Sequence, residues 1–140
     1  MWYSFSLYVV GLVVFWYAII FLISKLSGWN AIAEYFPSSS IGQTPISSKK
    51  FQSIKIGMSN YSGVVYFHIF PEGLNMKVIT LFKPGHNPIL IPWRELVVEE
   101  NQGYLKNMYR FSFQSLAKKS FFTPRTLGEW IVEHKKKHSS

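Results

Sequence analysis

The side chains of this 140-residue chain best suited to chemistry are four histidines, His68, His86, His134 and His138, and seven carboxylates. All seven are glutamates: Glu34, Glu72, Glu95, Glu99, Glu100, Glu129 and Glu133. Aspartate and cysteine are absent. That excludes thiolate zinc sites, disulfides and a cysteine nucleophile, and it weakens the case for oxygen-ligand cation sites and phosphoryl transfer, which lean on aspartate. His134 and His138 stand four apart, a spacing that lets two imidazoles share a metal on one helical face, but Lys135, Lys136 and Lys137 lie between them and their charge opposes a cation. A zinc-protease pair would need Glu directly after the first His. Glu99 and Glu100 are adjacent, so on a strand they point to opposite faces and cannot share a proton. There is no Gly-x-Ser-x-Gly elbow and no glycine-rich phosphate loop. His68 sits in an apolar strand and reads as structural. His86, in a loop between prolines, either contacts a ligand or holds the loop's shape. Asn60-Tyr61-Ser62 matches a glycosylation acceptor that matters only outside the cytoplasm. No catalytic residue, metal or cofactor is expected, and the chain reads as a non-enzyme.

The remaining functional signal is charge. Fifteen Lys and Arg against seven Glu give a net charge of +8. Cations on one side of a membrane protein are required by orientation alone; beyond that, Lys25, Trp29, Lys49, Lys50, Lys118, Lys119, Lys135, Lys136 and Lys137 are candidates for contact with anionic phospholipid headgroups. Nucleic acid is not expected, because most aromatics alternate as core strand residues rather than interleaving with exposed cations. For a protein partner, the candidates are Lys83, Gly85, His86 and Asn87 in a Pro/Gly-framed loop, with neighbouring Trp93 and Arg94.

The element that fixes where these groups work is the apolar run Phe5 to Ser24, which carries no charge. As a helix it spans about 30 Å, the thickness of a bilayer's hydrocarbon. A secretory signal peptide would want a cationic start, a shorter apolar stretch and a small-residue cleavage site, none of which is present. Every cation follows the span, so the expected topology is single-pass, N-terminus outside, with the C-terminal domain at the cytoplasmic face of the inner membrane. Trp2 and Tyr3 would sit at the outer interface, Lys25 and Trp29 at the inner one; Trp16 and Tyr17 read as apolar filler. The expected organisation is a transmembrane anchor over 1–25, a juxtamembrane amphipathic helix over 26–36, a linker over 37–50 and a β domain over 51–140. In the second segment Trp29, Ile32, Ala33 and Phe36 form one stripe, which either rests on the inner leaflet or packs on the domain.

From Phe51 the hydrophobic period becomes two. Ile54, Ile56 and Met58 form one alternating set, and Val65, Phe67 and Ile69 alternate against Val64, Tyr66 and His68. Phe70-Pro71-Glu72-Gly73 reads as a turn and Leu74 to Phe82 as the returning strand, giving a hairpin over 62–82. Ile89 to Trp93 is another strand, and Pro92, lacking an N–H, assigns it to an edge or bulge. Val97–Glu100, a turn at Asn101-Gln102-Gly103, and Tyr104–Phe113 suggest a second hairpin, followed by Ser120–Phe122. Thr123 and Pro124 suit the start of a final helix over 124–137. The expected class is α+β, with about seven antiparallel strands.

That order of elements resembles pleckstrin-homology-like (PH-like) domains. The stretch Leu81-Phe82-Lys83-Pro84-Gly85-His86-Asn87-Pro88-Ile89-Leu90-Ile91-Pro92-Trp93-Arg94-Glu95-Leu96 resembles a segment of small uncharacterised membrane-anchored bacterial proteins. Asn60-Tyr61 and Glu72-Gly73-Leu74 fit the same resemblance, which covers residues 25–131. It implies the fold and the anchor but no activity, since PH-like folds serve lipid binding, protein binding and scaffolding alike. The expectation is a binding module that contacts a membrane protein complex, with anionic-lipid binding as the alternative.

Overall fold

The computed structural model describes residues 2–38, 44–57, 59–100, 108–116 and 118–138. Helix α1 (Trp2–Ser27) carries the apolar run without a proline or charge to interrupt it before Lys25. By length and composition it is able to cross a membrane, and only 6% of the apolar window is buried. Every described side chain from Tyr3 to Ile19 is exposed, so this is no core helix. Its last turns differ. Ile20, Ser24 and Ser27 are buried, and their spacing puts them on one face.

Gly28 ends α1 with φ of +100°, left-handed backbone that a side chain would resist, and the chain bends straight into α2 (Trp29–Tyr35). The stripe foreseen here packs on the domain: Trp29, Ile32, Ala33 and Phe36 all belong to the hydrophobic core. Trp29 is 0% exposed and therefore cannot contact lipid as proposed from sequence. Immediately afterwards Phe36 O accepts from Leu90 N–H at 3.0 Å and Ser38 N–H donates to Pro88 O, stitching this segment to the sheet.

The class is α+β, as expected. Seven strands, β1 (Ser47–Ile56), β2 (Ser59–Ile69), β3 (Gly73–Val78), β4 (Ile89–Pro92), β5 (Leu96–Glu100), β6 (Met108–Phe113) and β7 (Ser120–Pro124), precede helix α3 (Arg125–His138). They form one antiparallel sheet in the order β4-β3-β2-β1-β7-β6-β5. Strands β4 and β5 are its two edges, yet only Trp93–Glu95, a 3-10 turn, separates them in the chain. Three residues reach only about 10 Å, so the sheet must roll until its edges meet in a barrel-like form. The inward side is apolar by strict alternation: Val65, Phe67 and Ile69 face Leu74, Met76, Ile89, Ile91, Phe111, Phe113 and Phe121. Leu127 and Ile131 bring α3 onto β6 and β7.

Several boundaries shift for identifiable reasons. The strand expected to reach Phe82 ends at Val78, the last residue paired with β2; from there Ile79 N–H donates to Val64 O and Thr80–Phe82 winds into a 3-10 turn beside α1. Trp93 opens the 3-10 turn rather than closing a strand, while Pro92 lies in an edge strand, one of the two placements its missing N–H allowed. Thr123 belongs to β7, and its buried Oγ1 has no hydrogen-bond partner, so it does not cap α3. The linker's middle, Met58, the Asn101-Gln102-Gly103 turn, Tyr104 to Asn107, Ala117 and the side chains of Trp2 and Glu100 lie outside the described residues.

Candidate functional site

The end of α1 meets the sheet through a buried line of polar groups. Ser27, Tyr61 and His86, from α1, β2 and the loop before β4, are 5%, 4% and 1% exposed. Ser27 Oγ lies 2.8 Å from Tyr61 OH, and Tyr61 OH lies 2.9 Å from His86 Nε2. The other ring nitrogen, His86 Nδ1, is 2.9 Å from Pro84 O. A carbonyl can only accept, so Nδ1 carries the proton and the neutral ring accepts at Nε2. Direction then propagates: Tyr61 O–H donates to His86, and Ser27 O–H donates to Tyr61. Trp29 N–H closes the line by donating to Ser27 Oγ at 3.3 Å. Each group in it has a partner of the right kind.

The line is sheathed in aromatic surface. The Trp29 ring sits 5.6 Å from Tyr61 and 5.5 Å from His86, and its Nε1–H donates to Asn87 O at 2.9 Å. Burial pushes the His86 imidazole below its ordinary value, against the Pro84 and Phe82 carbonyls that pull it up, and burial also raises the Tyr61 phenol. Protonating His86 would turn Nε2 into a donor and reverse the line, ending it on Ser24 O, 3.5 Å from Ser27 Oγ. That contact is too long to be a good acceptor, which is the structural reason for a neutral ring. Gly85 makes the fit possible. At φ of +71° it lies so close to α1 that a Cβ there would meet Ser24 Oγ and the Phe21 ring.

Next to this joint a cleft of about 230 Å³ opens between α1 and β2. Ile20, Ile23, Val64 and Phe82 form its apolar wall; Asn60, Tyr61, Ser62 and His86 form its polar side. Among the described residues no carboxylate lines it. The two titratable groups it contains are already hydrogen-bonded within the protein.

No protein-family model and no curated protein matches this sequence. The residues must therefore speak through geometry. Of the six partner-binding candidates, His86 and Trp93 turn inward: Trp93 is 3% exposed and its Nε1–H donates to Phe70 O. Gly85 is packed under Ser24. Lys83 and Asn87 are exposed beside the end of α1, whereas Arg94 is exposed on the turn between β4 and β5. The structure thus does not gather the six on one surface. Replacing His86 by Ala would disturb the fold as well as any partner.

The cationic candidates divide into two groups. Lys25 and Lys119 stand at the α1 end, Lys25 Nζ 4.9 Å from the Phe21 ring and Lys119 folded against Gly28. Lys118, exposed, precedes Lys119. Lys49 pairs with Phe67 across the sheet, six residues beyond Tyr61 on β2, roughly 20 Å along the strand. Its Nζ lies over the Trp130 ring of α3, and exposed Lys50 follows it. Lys135 Nζ donates to Trp93 O at 2.9 Å, Lys137 pairs with Glu133 at 3.5 Å, and Lys136 is exposed between them. Those five occupy the opposite end of the sheet from α1. Nearby, His138 stacks on Trp93 and on His134 instead of converging with it on an ion; among the described residues no group of three His, Cys, Asp or Glu is placed to hold a metal.

Sequence reasoning missed Ser24, Ser27 and Tyr61 as a site. The available signal was the pair of serines three apart on one face at the end of an apolar helix, directly before a glycine, where polar groups need partners.

Proposed function

We propose that this chain is a single-pass membrane protein whose PH-like domain is a non-catalytic interaction module, held at the cytoplasmic face of a bacterial inner membrane with the N-terminus outside. The observation that carries the reading is the contrast along α1. Its described side chains from Tyr3 to Ile19 are all exposed and mostly apolar, whereas Ile20, Ser24 and Ser27 near its end are buried against the domain. A cleaved leader would not supply core residues to the mature fold, so this contrast supports retention in the membrane. All fifteen Lys and Arg follow the span, beginning with Lys25, and this supports the orientation.

A protein partner, rather than a substrate, is favoured because the chemically able groups of the joint are spent on one another. Exposed Lys83 and Asn87, beside the anchor, are the surface through which a neighbouring membrane complex would be met. The test of the anchor is mature mass together with protease access. The full-length mass and protection of the domain in intact cells are expected; digestion by externally added protease would overturn it. A photo-crosslinking side chain at Asn87 should yield one discrete protein adduct, and adducts to lipid alone would reject the protein partner.

Anionic-lipid binding is the second reading, favoured by Lys25, Lys118 and Lys119 at the α1 end. Its mark is a salt-sensitive rise in the melting temperature of the full chain when phosphatidylglycerol is added to the bilayer.

A further inference from the structure

One contact does not belong to the joint. Trp16, in the middle of the apolar run, donates its Nε1–H to Leu81 O at 2.8 Å, and its ring lies 5.4 Å from Phe82. The 3-10 turn Thr80–Phe82 is therefore level with a residue eleven positions before the end of α1 at Ser27. With Tyr3 at the far interface, about 30 Å of hydrocarbon takes up some 20 helical residues and ends near Leu22. Trp16 lies six residues inside that boundary, about 9 Å.

We propose that the turn Thr80–Phe82 is a wedge that enters the acyl-chain region of the leaflet on the domain's side, alongside α1. The proposal rests on the membrane-anchor reading above. Leu81 is 67% exposed, an isobutyl group facing away from the protein and continuous with the bare apolar surface of α1. In a medium without water an unmatched N–H or C=O costs several kcal/mol, and the turn's backbone is matched in part, with the Thr80 and Leu81 N–H groups lacking a partner among the described residues. Leu81 O takes the Trp16 proton, Phe82 N–H donates to Ile79 O, Lys83 N–H to Thr80 O and Ile79 N–H to Val64 O. The match is reciprocal, since an indole N–H within the hydrocarbon also needs an acceptor and finds it in Leu81 O. Lys83 follows with an exposed ammonium, and Gly85 meets α1 at Phe21 and Ser24, near the hydrocarbon edge, so the chain re-emerges where the headgroups begin.

The chain has no cysteine, which permits single-thiol reporters in the full-length protein reconstituted into phosphatidylcholine–phosphatidylglycerol nanodiscs. Leu81→Cys, Tyr8→Cys on α1 and Glu72→Cys on the exposed turn between β2 and β3 are each treated with a charged maleimide. A thiol in hydrocarbon cannot ionise and is not reached by the reagent, so the Leu81 and Tyr8 variants should react at least tenfold slower than the Glu72 variant. Equal rates at Leu81 and Glu72, with Tyr8 still protected, would overturn the wedge and leave the anchor standing. Fast reaction at Tyr8 would overturn both. As a second measurement, bimane attached to the Leu81 variant should be quenched by nitroxide on lipid chains rather than by aqueous iodide; the reverse pattern rejects the wedge.

Discussion

Replacing Tyr61 by Phe removes one oxygen from the centre of the polar line and leaves the ring, with its packing on Trp29 and His86, in place. The damage falls unevenly. Ser27 Oγ keeps the Trp29 N–H, while its own proton is left with only the poor 3.5 Å acceptor Ser24 O, a smaller loss than a bare buried acceptor. His86 Nε2 loses the Tyr61 donor within a site that is 1% exposed, and its tautomer is fixed by Pro84 O. A buried acceptor left without a partner costs about 1–3 kcal/mol, and about 2 kcal/mol is the working value here. For a folded unit of roughly 110 residues each kcal/mol moves the midpoint by about 4 °C, so Tyr61→Phe should melt roughly 8 °C below the parent. The assay is thermal unfolding of the full chain in mild detergent, followed by near-ultraviolet circular dichroism. Because the line is continuous, Ser27→Ala and Tyr61→Phe must not add: the double variant should recover about 1 kcal/mol relative to the sum of the singles. A Tyr61→Phe protein as stable as the parent, or a double variant additive within about 0.3 kcal/mol, would refute the reasoning that these groups form one connected joint.

Acidification should weaken the fold. His86, His68 and His134 are all held below their ordinary values, chiefly by burial, so the unfolded chain binds more protons than the folded one as pH falls below the ordinary histidine range near 6.5. Stability is therefore complete above that range and is lost on the way down toward the folded values; denaturant midpoints at pH 7.5 and 5.5 should show it, and equal midpoints would contradict it. Gly85→Ala puts a side chain at positive φ and against Ser24, and should cost about 1–3 kcal/mol in the same melting assay. Trp29→Ala removes a fully buried aromatic shared by α2 and the joint, at a cost of about 3–5 kcal/mol. Deleting the first 36 residues removes that core contribution whole, and the remaining chain is expected to lose its near-ultraviolet signal.

The sheet was legible because period-two alternation records burial directly. Val65, Phe67 and Ile69 against Tyr66 and His68 told which side of β2 faces inward, and the proline in Ile89–Pro92 narrowed this strand to an edge or a bulge, of which the edge is observed. The end of β3 was not legible. Ile79, Leu81 and Phe82 are apolar enough to continue a strand, and only Trp16, more than sixty residues away in sequence, diverts them into a turn. The stripe Trp29, Ile32, Ala33 and Phe36 was visible but mute about its destination, since lipid and protein core ask for the same side chains. His86 shows the same limit for the site. Its loop and its prolines were plain, but the partner that commits it, Tyr61, reads in sequence as one more strand aromatic.

The joint sets the azimuth of α1 against the domain, because Ser24 and Ser27 are buried on a single helical face and Gly28 passes directly into a helix embedded in the core. Helix and roll share one core. Under the proposed membrane reading, a neighbour that chooses a side of the helix thereby chooses which flank of the sheet it will find next to it, so azimuth, more than proximity, is what this architecture transmits.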